Sequence, residues 1–427
     1  MPSVPEDRIR VLARVPPSAG GQFVLYWMTA CRRTTWNFAL DRSIEWVREL
    51  KKPLVILEAL RCDYPWASER FHRFVLDGMA EKARRLGADR KGIFYYPYVE
   101  TAADKGKGLI RALSGLASVI VTDDYPAFFL PHMIERAARQ VQCRLESVDS
   151  NGLLPLRAAD KAFPTAFSFR RFLQKNLAAH LARKPKKDSL ARLELPRLKA
   201  LPPEIIERWR PIPAEDLRDS RFLARIPVRH DIEAVELRGG EGPAGTTLRK
   251  FVSLGLRQYA ELRNQPEAEP TSGLSPYLHF GHISPHQIFH ELSHEENCSE
   301  AKLAVCANGN REGWWGVSSA VEAFLDQIVT WRELGLNFSS HRDDEARYSS
   351  LPDWAKRTLS KHARDERYYV YSLDEFGSAR THDLLWNAAQ RQLVAEGRIH
   401  NYLRMLWGKK SWSGRENRKT RLKSWLS

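Results

Sequence analysis

The chain has 427 residues, with 67 Lys and Arg against 52 Asp and Glu, a formal net charge of +15. This length predicts at least two domains with real cores. Hydrophobic residues at 43% exclude a disordered chain, and no apolar run approaches the roughly 18 residues of a membrane span. The five cysteines include no CxxC pair, and residues 1–10 carry no apolar signal region. An intracellular, cytoplasmic protein is expected. The positive charge makes a polyanion a plausible partner, with a merely basic soluble enzyme as the alternative.

The first third alternates strand and helix signals. Phe23 to Trp27, Pro53 to Leu57 and Ala117 to Thr122 are short apolar runs rich in strand formers. Between them Trp36, Leu40, Ile44 and Val47 recur at helical spacing, predicting a helix over 36–50. Continuous apolar strands separated by helices predict an α/β domain, a doubly wound parallel sheet covered on both faces. It is assigned to residues 1–182. Residues 183–245 carry eight prolines and read as an interdomain connector with a few short helices. From 246 to 427 the chain reads as an all-α domain, with a helix starting at Thr246 or Thr247. Apolar stripes are expected at Phe251, Leu254, Leu256 and Tyr259, and at Phe324, Leu325, Ile328 and Trp331. Gly397 is expected to separate two helices.

Four histidines, His282, His286, His290 and His294, recur every four residues. Such a spacing can chelate a cation. No HExxH glutamate or third ligand type accompanies them, so no metal site is expected.

Thr271-Ser272-Gly273-Leu274-Ser275 places three hydroxyls and a glycine ahead of a helical segment. Hydroxyls and free N–H groups at a helix start suit a phosphate, and an ordinary capped turn has the same composition. The full string to Gly281 resembles the flavin-pyrophosphate segment of the photolyase/cryptochrome family. The runs Val24-Leu25-Tyr26-Trp27-Met28, Arg380 to Gln390 and Tyr402 to Lys410 are similar to motifs of the class II cyclobutane pyrimidine dimer photolyases. The matches are in order and span residues 23–410.

That resemblance implies an α/β domain, a helical domain that holds FAD, and light-driven repair of pyrimidine dimers in double-stranded DNA by a monomeric lyase. A second, antenna chromophore in the α/β domain is compatible with the family and is identified by no residue. By resemblance Tyr259, Thr271, Ser272, Gly273, Leu274, Ser275 and Asn387 line the FAD, and Arg404 approaches its isoalloxazine. Trp407 is the tryptophan nearest the flavin and Trp386 the next in an electron-transfer chain. Trp331 packs on the flipped dimer, and Gln327 stands where a glutamate is usual, which implies slower repair. Arg332, Arg391, Arg398, Lys409 and Lys410 are candidate phosphate contacts. A non-repairing, cryptochrome-like flavoprotein and an inactive homologue are the alternatives. Past Lys410 the sequence departs from the family pattern, and the last twenty residues, 408–427, form a basic tail with seven Lys and Arg and one Glu. An altered or truncated C-terminus with weak FAD retention is the corresponding expectation. The tail holds +6 of the +15, so the motifs, more than the charge, carry the case for DNA.

Overall fold

The computed structural model describes residues 4–87, 92–191, 193–268, 270–296, 302–345, 347–366 and 368–413. The basic tail beyond Ser413 lies outside them. No helix among the described residues is long and apolar enough to cross a membrane.

The N-terminal half is a six-stranded sheet in the order β1-β6-β5-β2-β3-β4. Its strands are β1 (Ile9–Ala13), β2 (Phe23–Met28), β3 (Leu54–Leu60), β4 (Ile93–Val99), β5 (Ala117–Asp123) and β6 (Arg144–Val148). Only β1 is antiparallel to its neighbour. All residues of β2 and β5 are buried, as the continuous apolar runs require of a sheet covered on both faces. Helices α1 (Phe38–Leu50) and α2 (Glu69–Arg85) follow β2 and β3. Helix α1 begins two residues after the expected Trp36. The Asn37 side chain accepts from the N–H groups of Ala39 and Leu40 and so fixes the start, while Trp36 takes a positive φ of 49° outside it.

Two cores lie on either face of the sheet and a third fills the helical half. The third does not divide from the first two at residue 182. Helix α3 (Ala166–Asn176) packs Phe169 and Leu173 into the helical core beside Leu248, Phe251 and Ile288. The proline-rich segment is not a free linker: Leu201, Ile205 and Trp209 join the core on one sheet face, and Leu217, Phe222 and Ile226 pack with Leu76 and Met79 of α2.

In the helical half, α4 (Glu241–Lys250) begins earlier than the expected Thr246 or Thr247. Gly240, at φ +117°, makes the turn into it. The following stretch is π-helical over Phe251–Gly255 and 3-10 over Leu256–Gln258. This change of winding is why Leu254, expected in the apolar stripe, is 70% exposed while Phe251, Leu256 and Tyr259 are buried. Next come α5 (Ser275–His279), α6 (Pro285–Glu296), α7 (Ser319–Leu325), a π-helical turn (Asp326–Trp331) and α8 (Arg332–His341). Helices α9 (Leu384–Glu396) and α10 (Asn401–Ser413) close the described chain, separated by Gly397 in the left-handed conformation.

The two halves meet along the carboxyl ends of the parallel strands. At the switch between β2 and β5, the Asp123 carboxylate accepts from the N–H groups of Thr29, Ala30 and Cys31 at 2.8–2.9 Å and from the Tyr26 hydroxyl at 2.8 Å. The loop so held meets Gly281 of the helical half. A Cβ on Gly281 would lie 1.8 Å from the Ala30 carbonyl, and its φ is +74°. Arg33 closes the contact, its guanidinium donating to the carbonyls of Gly281 (3.1 Å) and Ser150 (3.0 Å). Gly281→Ala should therefore cost on the order of 2–3 kcal/mol in a denaturant titration. An unchanged midpoint would mean that the two halves do not meet this closely.

Candidate functional site

The hydroxyl-rich segment ends at α5. Thr271 and Ser275 are exposed, and Ser272 is half-buried with its hydroxyl accepting from the Leu274 N–H at 3.4 Å. Gly273 has φ +65°, a conformation that turns the chain between the two serines. Leu274 is buried beneath them. Tyr259 is also buried, its ring set edge-on to Phe251 and Phe324 at 5.6 and 5.2 Å, with the Arg263 guanidinium over it at 5.8 Å. The segment thus presents outward hydroxyls above an apolar floor. That donor set fits the diphosphate of a dinucleotide.

The second element is the π-helical turn. Gln327 is half-buried, and Trp331 is 46% exposed despite its place in the apolar stripe. The indole N–H of Trp331 donates to Asp326 Oδ2 at 3.2 Å. The other oxygen of Asp326 accepts from Arg170 Nε and Nη2 at 2.9 and 2.8 Å, a pair nearly closed to solvent. Sequence reasoning missed Asp326 and Arg170. The available signal was a carboxylate inside an apolar helical run, five residues before a tryptophan.

Arg332 does not face solvent with Trp331. Its guanidinium turns into the seam and donates to the Asn151 carbonyl, beside Tyr125, so it is not a DNA-facing group in this structure. The next residue, Glu333, is buried and accepts from the N–H groups of Leu153 (2.7 Å) and Leu154 (3.1 Å). A Cβ on Gly152 would meet its carboxylate at 2.6 Å.

The third element is the tryptophan pair. Trp386 of α9 and Trp407 of α10 stack at 5.8 Å between centroids and 8° between planes. The Trp386 indole N–H donates to the Trp407 carbonyl (3.1 Å), and that of Trp407 to Gln390 Oε1 (3.0 Å). The unit is held by Asp383, which caps α9 through the Trp386 N–H at 2.9 Å and pairs with Lys410. It is also held by Arg70 of α2, which donates to the carbonyls of Leu393 and Val394. Asn387, expected at the cofactor, is buried and engaged with Thr381: its oxygen accepts from the Thr381 N–H and hydroxyl, and its amide donates to the Thr381 carbonyl. Arg404, expected at the isoalloxazine, is exposed and donates to Asn401 Oδ1 at 2.7 Å. Arg391 and Lys409 are exposed, and Arg398 pairs with Glu396 at 2.9 Å. Leu384, Leu385, Tyr402 and Met405 also face outward from this helix pair.

Three of the four regularly spaced histidines pack on aromatic rings of the α/β half: His282 on Phe74, His286 on Phe38 and His290 on Trp36, at 5.0–5.3 Å. Burial holds His282 and His286 neutral, well below the usual imidazole range. No group of three metal-ligating side chains occurs among the described residues.

Burial also raises the Glu333 carboxyl, to about 7, against the two N–H bonds and the nearby Arg332 and Arg8 that favour its charge. The folded state then holds a proton that the unfolded state releases. The stabilising contribution is complete below 4.5 and is lost as the pH rises through about 7. In urea titrations the stability of the wild type should fall over this window relative to Glu333→Gln; parallel pH profiles would contradict an elevated carboxyl.

No protein-family model matches the chain. It is 33% identical over 407 residues to a deoxyribodipyrimidine photo-lyase of Methanothermobacter thermautotrophicus, covering 95% of this chain and 81% of that protein. It is 26% identical over 423 residues to the deoxyribodipyrimidine photo-lyase of Arabidopsis thaliana, covering 96% and 78%. A solved class III photolyase from Agrobacterium tumefaciens superposes with a TM-score of 0.63 over 97% of this chain and 80% of that one, at 17% identity. The fold is therefore that of a photolyase, an α/β sheet domain joined to a helical one. The chain belongs to the photolyase/cryptochrome family.

Proposed function

We propose that the protein repairs cyclobutane pyrimidine dimers in double-stranded DNA, using light and a bound FAD. The observation that carries this reading is Trp331, a large apolar ring left half in solvent on a turn that buries its neighbours. An aromatic ring so placed suits a base taken out of the stack. The motifs of the class II enzymes and the names of the relatives support the same reading.

A bound, reduced FAD would supply photo-excited electron transfer, lending the electron that opens the cyclobutane ring and taking it back once the two pyrimidines have separated. The chain's own part is placement. Thr271, Ser272 and Ser275 would hold the diphosphate through their hydroxyls, with Gly273 letting the backbone approach and Leu274 and Tyr259 forming the apolar wall. Trp331 stacks on the extruded pyrimidines. Gln327 offers an amide N–H to a pyrimidine carbonyl, a neutral donor that adds no charge to the site. Trp386 and Trp407, in parallel contact, form a path for reducing equivalents between surface and cofactor. Arg391, Lys409 and Lys410 contribute to a positive rim for phosphates. Arg404 and Asn387 reach a cofactor only if they leave Asn401 and Thr381.

Purified protein, supplied with FAD and reduced, should remove dimers from a thymine-dimer duplex under near-ultraviolet or blue light and not in the dark. Trp331→Ala should weaken binding of that duplex about tenfold, the loss of one base-stacking contact. Gln327→Glu should speed repair. Flavin photoreduction with no loss of dimers would instead support a light sensor, and absence of flavin binding would support an inactive homologue.

A further inference from the structure

We propose that Asp326 is a positioning residue: paired with Arg170, it holds the Trp331 indole in the orientation that receives a flat unsaturated ring, the extruded pyrimidine of the function proposed above, on which this inference rests. The helix winding makes the contact. At roughly 100° per residue, positions five apart in an α-helix lie about 140° round the axis and cannot share a face. Over Asp326–Trp331 the helix is widened to π winding, with the Arg332 N–H returning to the Gln327 carbonyl. Five residues then make about one turn. Asp326 and Trp331 come together, and the indole N–H reaches Oδ2 at 3.2 Å.

The carboxylate is itself immobile. It is 6% exposed, and its other oxygen takes two N–H bonds from Arg170. Arg170 is anchored in turn by the Gly309 carbonyl at 3.1 Å. Each oxygen therefore has one task, one toward the cation and one toward the indole. An indole has a single donor, and a bond from it to a charged acceptor is stronger than one to a neutral acceptor. A half-exposed tryptophan would otherwise sample several rotamers, and ordering it on contact would cost binding energy. The ring is thus set before any ligand arrives.

In Asp326→Asn the single remaining oxygen goes to the Arg170 cation, and the amide N–H groups face the indole N–H. The ring is released. A second variant leaves the ion pair untouched: replacing Trp331 with its benzothienyl analogue, a sulfur in place of the N–H, keeps the ring and removes only the donor. Both changes should lower the preference for a duplex carrying one thymine dimer over the same undamaged duplex by roughly three- to tenfold, the cost of ordering one side chain on contact. Affinity for undamaged DNA should stay constant. In protein labelled with 5-fluorotryptophan, the fluorine resonance missing from Trp331→Phe should shift and narrow in Asp326→Asn. In the Trp331→Phe background, Asp326→Asn should have no further effect on preference. The proposal is overturned if the benzothienyl variant keeps full preference, or if Asp326→Asn costs as much in the Trp331→Phe background as alone. If Trp331→Phe and Trp331→Ala themselves leave preference unchanged, the lesion-facing role of Trp331 is what fails.

Discussion

The arrangement depends on the seam where Glu333 accepts the N–H groups of Leu153 and Leu154. Those amides belong to the loop that leaves the last strand of the sheet. Glu333 stands two residues after Trp331, and Arg332 between them donates to Asn151 of the same loop. The helix that exposes Trp331 is therefore bonded at its start to the α/β half. A carboxylate buried this fully costs desolvation, which two N–H bonds and nearby arginines only partly offset. Removing its side chain would leave two buried amides without partners. The orientation of the exposed ring is thus a property of both halves.

From the seam the other elements follow. Asp123 gathers the Thr29–Cys31 amides and fixes the loop against which Gly281 packs. Gly281 follows α5, so the hydroxyl segment at the start of that helix is registered to the sheet. His282 and His286 continue the contact as neutral groups, the first stacked on Phe74 and the second edge-on to Phe38. The crevice where open α/β sheets commonly take ligands is closed by the chain itself at this point. The tryptophan pair is tied to the same frame by Arg70, one residue of α2 capping the end of α9.

The sheet was legible because β2, β3 and β5 are continuous apolar runs, and a parallel sheet buried on both faces needs nothing else to announce it. Helix positions were less so. The stripe through Leu254 assumed one period, and the π and 3-10 windings after Lys250 break it. The resemblance singled out the hydroxyl segment, Trp331, Trp386 and Trp407, and the structure sets the last two in parallel contact. It said nothing of Asp326 and Arg170, 156 residues apart, whose pairing exists only through packing. Arg332 and Asn387 show the converse. A motif gives residue type and order, but whether a polar side chain faces a ligand or satisfies a backbone group depends on which unpaired donors and acceptors burial leaves beside it.

In the proposed function, the half-exposed Trp331 receives an extruded pyrimidine dimer. A crystal structure of the protein with a short duplex carrying one thymine dimer tests it most directly. The dimer should be rotated out of the helix, with a pyrimidine ring on the face of Trp331 and the indole still bonded to Asp326. A dimer left stacked within the duplex, or seated away from Trp331, would contradict it.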